Sequence, residues 1–491
     1  MNKYLYGAAV QGIQEFIFKT NELKHIVGAS ELVEQICTSA FNEFEKDKRM
    51  GQTGESVVRA AGNIKFVFDK EEYCKKAVRE FPQKIMKMAP GITISQAVVP
   101  LTDDFGKAVD DIEALLKVQR NKPPRTVTSG LIGIKRANNT GLPVVSFKEE
   151  DRKVVYKDDS TVQKECFKDD KGLCIKSFGD SALSTKNVAY NISDMTGKNN
   201  WIAIIHADGN GVGKVVQAVG RKKDVFRKFS QKLDFATKEA ANMAYKAVAD
   251  KFRDKKIIPI RPVVLSGDDM TVIIRGDLAI DYANAFIAAF EEKTKEHLGD
   301  ILREQHVFAD DKDCLTACAG IAFIKSSYPF YYGYQLADDL CGQAKKDTKA
   351  IYGASSNHLP PSCLMFHKVQ DSFIIDYKDI VKRELTANDG LSFMSGPYYI
   401  HPQHSKYTVC DLFKANEKLN SENGEGIKSG IRNWISLRIE SKSKADQRKN
   451  RMLQIFTDGT AVEALTNEAN NCCMAYDVLA YNTIINQQTN E

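Results

Sequence analysis

Three aspartates in strand-like, glycine-rich surroundings have the residue types and spacing for metal-assisted chemistry. Asp208 ends the apolar run Trp201 to Ala207 (WIAIIHA) and opens the turn DGNGVGK, while Asp268 and Asp269 lie in SGDD between two short β-rich runs, Pro262 to Leu265 and Met270 to Ile274. Carboxylates converging at neighbouring strand tips repel one another unless a cation is present. Mg²⁺ or Mn²⁺ supported by substrate phosphates is the hard ion that such oxygens accept. Two such ions activate a ribose hydroxyl and stabilise the charge leaving as pyrophosphate. Around them Gly209, Asn210, Gly211 and Gly213 would bring backbone N–H groups close to a triphosphate, and Ser266 and Gly267 would form a tight nucleotide-binding turn. Lys345 would supply a fixed positive charge to the phosphate tail. Either tetrapeptide alone describes an ordinary solvated turn; their joint placement carries the expectation.

The elements that must position these groups run from about residue 200 to 353. After the first strand, Phe226, Phe229, Leu233, Ala236, Ala240 and Met243 recur at helical spacing within Asp224 to Phe252. The two β-rich runs then read as a hairpin, Leu278 to Phe290 as a helix, Leu315 to Ile324 as a strand and Tyr331 to Lys349 as a closing helix. This β-α-β-β-α-β order is ferredoxin-like, the arrangement of polymerase and cyclase palms.

The amino-terminal region repeats the order. Val57 to Phe68 aligns without a gap against Val263 to Ile274, which sets Gly62 and Asn63 opposite Asp268 and Asp269. YLYGAAVQG against WIAIIHADG sets Gln11 opposite Asp208, so the first copy lacks all three carboxylates. The expected fold class is therefore α+β: a degenerate first palm (1–120), a linker or small subdomain (121–198) with Pro123 and Pro124, a catalytic second palm (199–360), and a largely helical carboxy-terminal domain (361–491). Lys428, Arg432, Arg438, Lys442, Lys444, Arg448, Lys449 and Arg451 form a basic stretch in the last region, read as a solvated helix face or, alternatively, a site for RNA or an acidic partner. His206 reads as a packed or hydrogen-bonded residue, and the aromatic cluster Tyr328 to Tyr334 as core.

Bulk properties narrow the class. The 491 residues carry 69 basic and 64 acidic side chains, a surplus of +5 that does not by itself imply nucleic-acid binding. The eleven cysteines form no framework, which favours free thiols in a reducing compartment, and the expected location is cytoplasmic. Gln11, Gln14 and Glu15 interrupt the amino-terminal apolar run before a signal-peptide core forms, and no stretch reaches about 18 apolar residues, so no membrane association is expected.

Four segments together resemble a known family. IQEFIFKTNELKHIVGASELVEQI, HADGNGVGK, SGDDM and ADDLCGQAKK are similar to signatures of the large polymerase-cyclase subunit of type III CRISPR effector complexes, a distant relative of GGDEF diguanylate cyclases. The resemblance implies a tandem-palm nucleotidyltransferase that joins ATP into a cyclic or linear oligoadenylate messenger in anti-phage defence. It makes Asp208, Asp268 and Asp269 ligands of two Mg²⁺ or Mn²⁺ ions, Gly267 part of the nucleotide turn, Lys345 a triphosphate contact and Ser30 a seat for the acceptor nucleotide. It further implies ATP as substrate, RNA or CRISPR-like subunits at the basic carboxy-terminal region, and a downstream effector responding to the product. Homo-oligomerisation stays open.

The chain departs from the family pattern in three places. It begins directly with the palm and has no adjacent His-Asp pair, so single-stranded DNA cleavage is not expected. KRANNTGLP lacks the cysteines of a zinc ribbon, so no zinc is expected. The hairpin reads SGDD rather than GGDD, which leaves nucleotide preference open. A GTP-using diguanylate-type cyclase is one alternative, although Asp269 and Met270 replace the Glu-Phe of that family. A non-catalytic RNA-guided scaffold is the other, and the carboxylates retained in the second palm argue against it.

Overall fold

The structure is a computed structural model. It describes all residues except 1–2, 48–50, 61, 123–132, 151–152, 168–170, 197–199, 310–311, 352–356, 371–376, 421–423, 457–458 and 486–491; the Pro123 and Pro124 of the expected linker lie outside the described residues.

Each copy folds as a ferredoxin-like unit. In the first, β1 (Lys3–Gln11), β2 (Gly54–Ala60), β3 (Asn63–Phe68) and β4 (Thr93–Leu101) form an antiparallel sheet in the order β2-β3-β1-β4. In the second, β5 (Trp201–Asn210), β6 (Ile260–Ser266), β7 (Asp269–Arg275) and β8 (Thr316–Lys325) repeat it as β6-β7-β5-β8, and β9 (Cys363–Lys368) adds parallel to β8. Both faces of the second sheet are covered, which is why β5 is almost continuously apolar. Helices α1 (Lys223–Ala249) and α2 (Ala279–Glu304) pack together on one face, burying Ala203 and Ile205; α3 (Phe330–Ala350) lies on the other, over Ile202 and Ile204.

The gapless hairpin match extends to an irregularity. In both hairpins the pairing shifts at the same aligned residue, between Ser56 and Val58 in the first copy and between Pro262 and Val264 in the second. The first-strand alignment requires correction. Leu5 pairs with Val67 and Ile204 with Ile273, and Val67 and Ile273 are equivalent hairpin positions. Ala9, not Gln11, is therefore the counterpart of Asp208, and Gln11 matches Asn210. The next residues agree: Gly12 (φ 65°) and Gly211 (φ 78°) both adopt the left-handed conformation and each starts a helix. A slip of two residues keeps every side chain on its own face, so the apolar alternation could not expose the error. The first copy still lacks all three carboxylates.

The segment between the palms, 121–198, carries secondary structure of its own among its described residues. It forms a hairpin, Val144–Glu150 with Lys153–Asp158, and the helices Asp159–Cys166 and Gly172–Phe178. These dock on the first-palm helix Leu23–Cys37, where a Cβ on Gly28 would come within 2.0 Å of the Lys164 carbonyl oxygen and Glu31 accepts a hydrogen bond from Leu173 N–H at 2.9 Å. The GAS sequence thus has a packing reason for its glycine.

The carboxy-terminal region is mainly helical. The basic stretch divides within it. Arg438 leaves the expected solvated face: its side chain is 3% exposed and its guanidinium bridges Asp389 and Glu468. Lys442, Lys444 and Arg451 on the following helix, Lys442–Ile455, are exposed. The aromatic cluster divides similarly, with Phe330 and Tyr334 buried but Tyr331 and Tyr332 37% and 44% exposed. Among the described residues, no helix is long and apolar enough to cross a membrane.

Candidate functional site

The site forms where three backbone elements meet. The β5–β7 ladder pairs Ala207 with Met270, which brings Asp208 level with the hairpin turn that carries Asp268 and Asp269. One carboxylate oxygen from each aspartate lies within 4.8 Å of the others. Gly209 permits this approach: a Cβ there would lie 2.9 Å from Asp268 Cβ and 3.1 Å from its Oδ2. Helix α3 brings Lys345, whose ammonium donates to Asp208 and, at 2.9 Å, to the carbonyl oxygen of Gly209. That helix lies close to the sheet because Gly320 has no side chain, and a Cβ there would sit 1.9 Å from the Ala337 carbonyl oxygen.

The electrostatics are those of a crowded anionic site. Burial, then the charge of Asp208, pushes Asp268 up to about 7. Burial, then Asp268 and Asp208, pushes Asp269 up to about 8. Burial works against the charge of Lys345, but Asp208 beside it holds the ammonium above its ordinary value. Three hard oxygen donors with one lysine as provisional counter-ion fit a divalent cation of the Mg²⁺ or Mn²⁺ type.

Two cavities flank these carboxylates, one walled by Asp208 and Asp268 and the other by Asp269. The larger, about 730 Å³, is lined by Asp208, Asp268, the Gly209 to Gly213 turn, Lys214, Lys345 and Lys349. The other, about 210 Å³, lies between the palms and is lined by Asp269, Ser266, Ser30, Gly62, Arg59 and Lys238. Gly209, Gly211 and Gly213 are thus on the larger cavity, and a Cβ on Gly213 would meet open space. Asn210 does not join them: it is buried, with its amide donating to Thr316 Oγ1 at 3.2 Å and Cys318 Sγ at 3.3 Å, because its side chain turns into the sheet layer. Ser30 reaches the smaller cavity while its hydroxyl donates to Ile26 O at 2.9 Å within its own helix. His206 lines the same cavity as a held residue. Its Nδ1 is 3.1 Å from Thr271 Oγ1, its Nε2 is 3.4 Å from Asp338, and burial pushes its pKa down.

Some contributors were given no role in the sequence reading. Lys214 is the last residue of DGNGVGK itself, and Lys349 sits one turn beyond Lys345, so helical spacing could have found it. Thr237 could not be found this way. From within α1 its hydroxyl donates to the carbonyl oxygen of Gly267 at 2.6 Å, and Gly267 has φ 64°. This bond holds the turn that carries both hairpin aspartates. Thr237→Val is expected to leave the fold in place and, in the reaction proposed below, to lower turnover about tenfold and raise the divalent-ion concentration needed for half-maximal rate, since the half-buried Gly267 carbonyl loses its partner. Thr237→Ser should restore both. An unchanged metal requirement in the valine variant would assign Thr237 to packing alone.

Residues 201–351 match the family model for the second palm domain of Cas10/Cmr2. The chain is similar over its length to Csm1–Csm4 cassettes of known structure. The cassette in complex with pppApA has TM-score 0.60 at 12% identity over 99% of this chain and 69% of that one. The complex with one ATP has TM-score 0.59 at 12% identity over 99% and 70%, and the complex with cA4 has TM-score 0.58 at 11% identity over 99% and 69%. At these identities the likeness is one of fold. No curated protein matches the chain.

Proposed function

We propose, for a chain whose residues 201–351 form a second palm domain of the Cas10/Cmr2 type, that it joins ATP into a small cyclic or linear oligoadenylate with release of pyrophosphate. The observation that carries this reading is the position of the three carboxylates at the boundary between two cavities, one glycine- and lysine-lined and one between the palms. The triphosphate of a donor ATP fits the larger cavity, with Lys345, Lys214 and Lys349 facing the phosphate tail and the backbone of Gly209 to Gly213 in contact with it. The acceptor nucleotide fits the smaller cavity, where Asp269 and Ser266 of the second palm face Ser30 and Gly62 of the first. Two Mg²⁺ or Mn²⁺ ions held by Asp208, Asp268 and Asp269 would supply activation of the acceptor hydroxyl and neutralise the pyrophosphate as it leaves. Asp208 would then exchange its bond to Lys345 for the ion and free the lysine for the triphosphate. With no carboxylate at Ala9, Gly62 or Asn63, the first palm would hold nucleotide without metals.

The proposal extends to partners. The Csm1 proteins of similar fold are in cassettes with Csm4, and we assign to this chain a comparable subunit partner, with the exposed Lys442, Lys444 and Arg451 facing RNA or an acidic subunit and a separate effector responding to the product. The test is incubation of purified protein with each labelled nucleoside triphosphate and Mg²⁺ or Mn²⁺, with and without RNA, followed by mass spectrometry. ATP should yield pyrophosphate and an adenine oligonucleotide. Product from GTP alone would favour a diguanylate-type cyclase, and absence of product under every condition would favour a scaffold.

A further inference from the structure

Thiols that the proposed reaction does not use lie in the sheet beside the site, where Cys318 is the ladder partner of Asp208. Strands β8 and β9 run parallel with Cys318 beside Cys363 in the ladder, and their sulfurs are 3.6 Å apart. Both side chains are fully buried. Neighbouring strands hold paired Cα atoms about 4.8 Å apart, which is inside the range of disulfides. Closing the sulfurs to a bond of about 2.05 Å asks each to move by less than about 1 Å.

Each sulfur also touches an element that holds the site. Cys318 Sγ accepts from Asn210 Nδ2 at 3.3 Å, and Asn210 ends β5 two residues beyond Asp208. Cys363 Sγ donates to the carbonyl oxygen of Ala344 at 3.8 Å, the residue before Lys345 on α3. A bond between the sulfurs consumes both thiol protons, and with them the Cys363 donation to Ala344 O and the Cys318 donation to Asn210 Oδ1 at 3.5 Å. Both contacts that tie the thiol pair to the Asp208 and Lys345 backbones would be lost together.

We propose that Cys318 and Cys363 form a reversible disulfide site, with a peroxide as oxidant, whose closure disengages Asp208 and Lys345 and lowers turnover. In the first step one sulfur attacks a peroxide oxygen, the O–O bond breaks, and a sulfenic acid and one water result. In the second, the other sulfur attacks the sulfenic sulfur, the S–S bond forms, the S–O bond breaks, and a second water leaves. Two thiols lose two electrons and hydrogen peroxide gains them. Such bonds are transient and regulatory in reducing compartments. The cross-link stands independently of the proposed reaction; its effect on turnover rests on that reading.

The test uses the full chain carrying Cys166→Ser and Cys410→Ser, which removes the two exposed thiols. Protein treated with hydrogen peroxide is denatured, alkylated and mapped by mass spectrometry without reduction, and ATP turnover is measured in parallel. The expected result is a Cys318–Cys363 linked peptide and a fall in turnover of at least about tenfold, both reversed by dithiothreitol, with a folded Cys363→Ala variant showing the same rate before and after peroxide, whatever that rate is. If that variant does not fold, Cys318→Val serves the same purpose. No linked peptide, or Cys318 linked instead to Cys341, overturns the site. A linked peptide with unchanged turnover overturns the coupling. If the protein turns over no nucleotide at all, the peptide map still decides the site, and the Mn²⁺-dependent thermal shift with ATP, read before and after oxidation, decides the coupling.

Discussion

With Asp268→Asn and Asp269→Asn together, nucleotide turnover is expected to fall about 10³-fold or more while the protein stays folded, because the variant loses both activation of the attacking hydroxyl and neutralisation of the leaving charge. The same variant should alter the pH dependence of stability. In the folded protein Asp268 and Asp269 are pushed up to about 7 and about 8, against about 4 for an exposed aspartate. Between those values the folded state holds protons that the unfolded state has released. This contribution to stability is complete below about pH 4 and is lost as pH rises to about 8. Metal-free wild type should therefore show a melting temperature that falls over this interval relative to the Asn pair, with added Mn²⁺ recovering the difference only in the wild type. Thermal denaturation at a series of pH values, paired with a pyrophosphate-release assay, checks both halves. Wild-type turnover in the folded double variant would remove the second palm as the active site.

Lys345→Met should cost turnover on a comparable scale, about 10²- to 10³-fold, yet move stability the opposite way. Lys345 is the cation that neutralises Asp208 and anchors to the Gly209 carbonyl in the metal-free protein. Methionine keeps the apolar stem against the sheet and removes the charge, which leaves three crowded carboxylates without a counter-ion and should lower the melting temperature at pH 8. The Asn pair relieves the same crowding and should raise it. Differential scanning fluorimetry of the two variants without metal separates the cases. A rise in melting temperature for Lys345→Met would mean that the lysine is strained in the metal-free state and does not act as a counter-ion.

Opposite stability effects from two variants that both abolish turnover would distinguish an electrostatic site from a packing defect. A packing defect lowers stability in both. The Cys318 and Cys363 pair lies outside this contrast, since its removal changes neither the charge nor the ligands of the site.

Residue pattern alone specified much of this arrangement. The hairpin repeat was legible as a gapless match of strand on strand and turn on turn; that both ladders shift at the same aligned residue is a finding of the structure. The meeting of Asp208 with Asp268 and Asp269 was legible for a related reason: the β-α-β-β order fixes which strand tips are neighbours. The first-strand alignment was not fixed by pattern, since a two-residue slip preserves alternation and only the pairing of Leu5 with Val67 reveals it. Charge was legible at Arg438, but its two carboxylate partners, 49 and 30 residues away, were not.

Tertiary structure alone decided the rest. Thr237 holds the Gly267 turn from a helix 30 residues earlier, Gly320 sets the depth of the helix that carries Lys345, and β9 places Cys363 beside Cys318. Local sequence encodes periodicity, turn chemistry and charge, which act over a few residues. Which buried hydroxyl meets which carbonyl, how closely a helix approaches a sheet and which thiols become neighbours depend on packing between distant segments, where no residue type has a preference strong enough to be read in isolation.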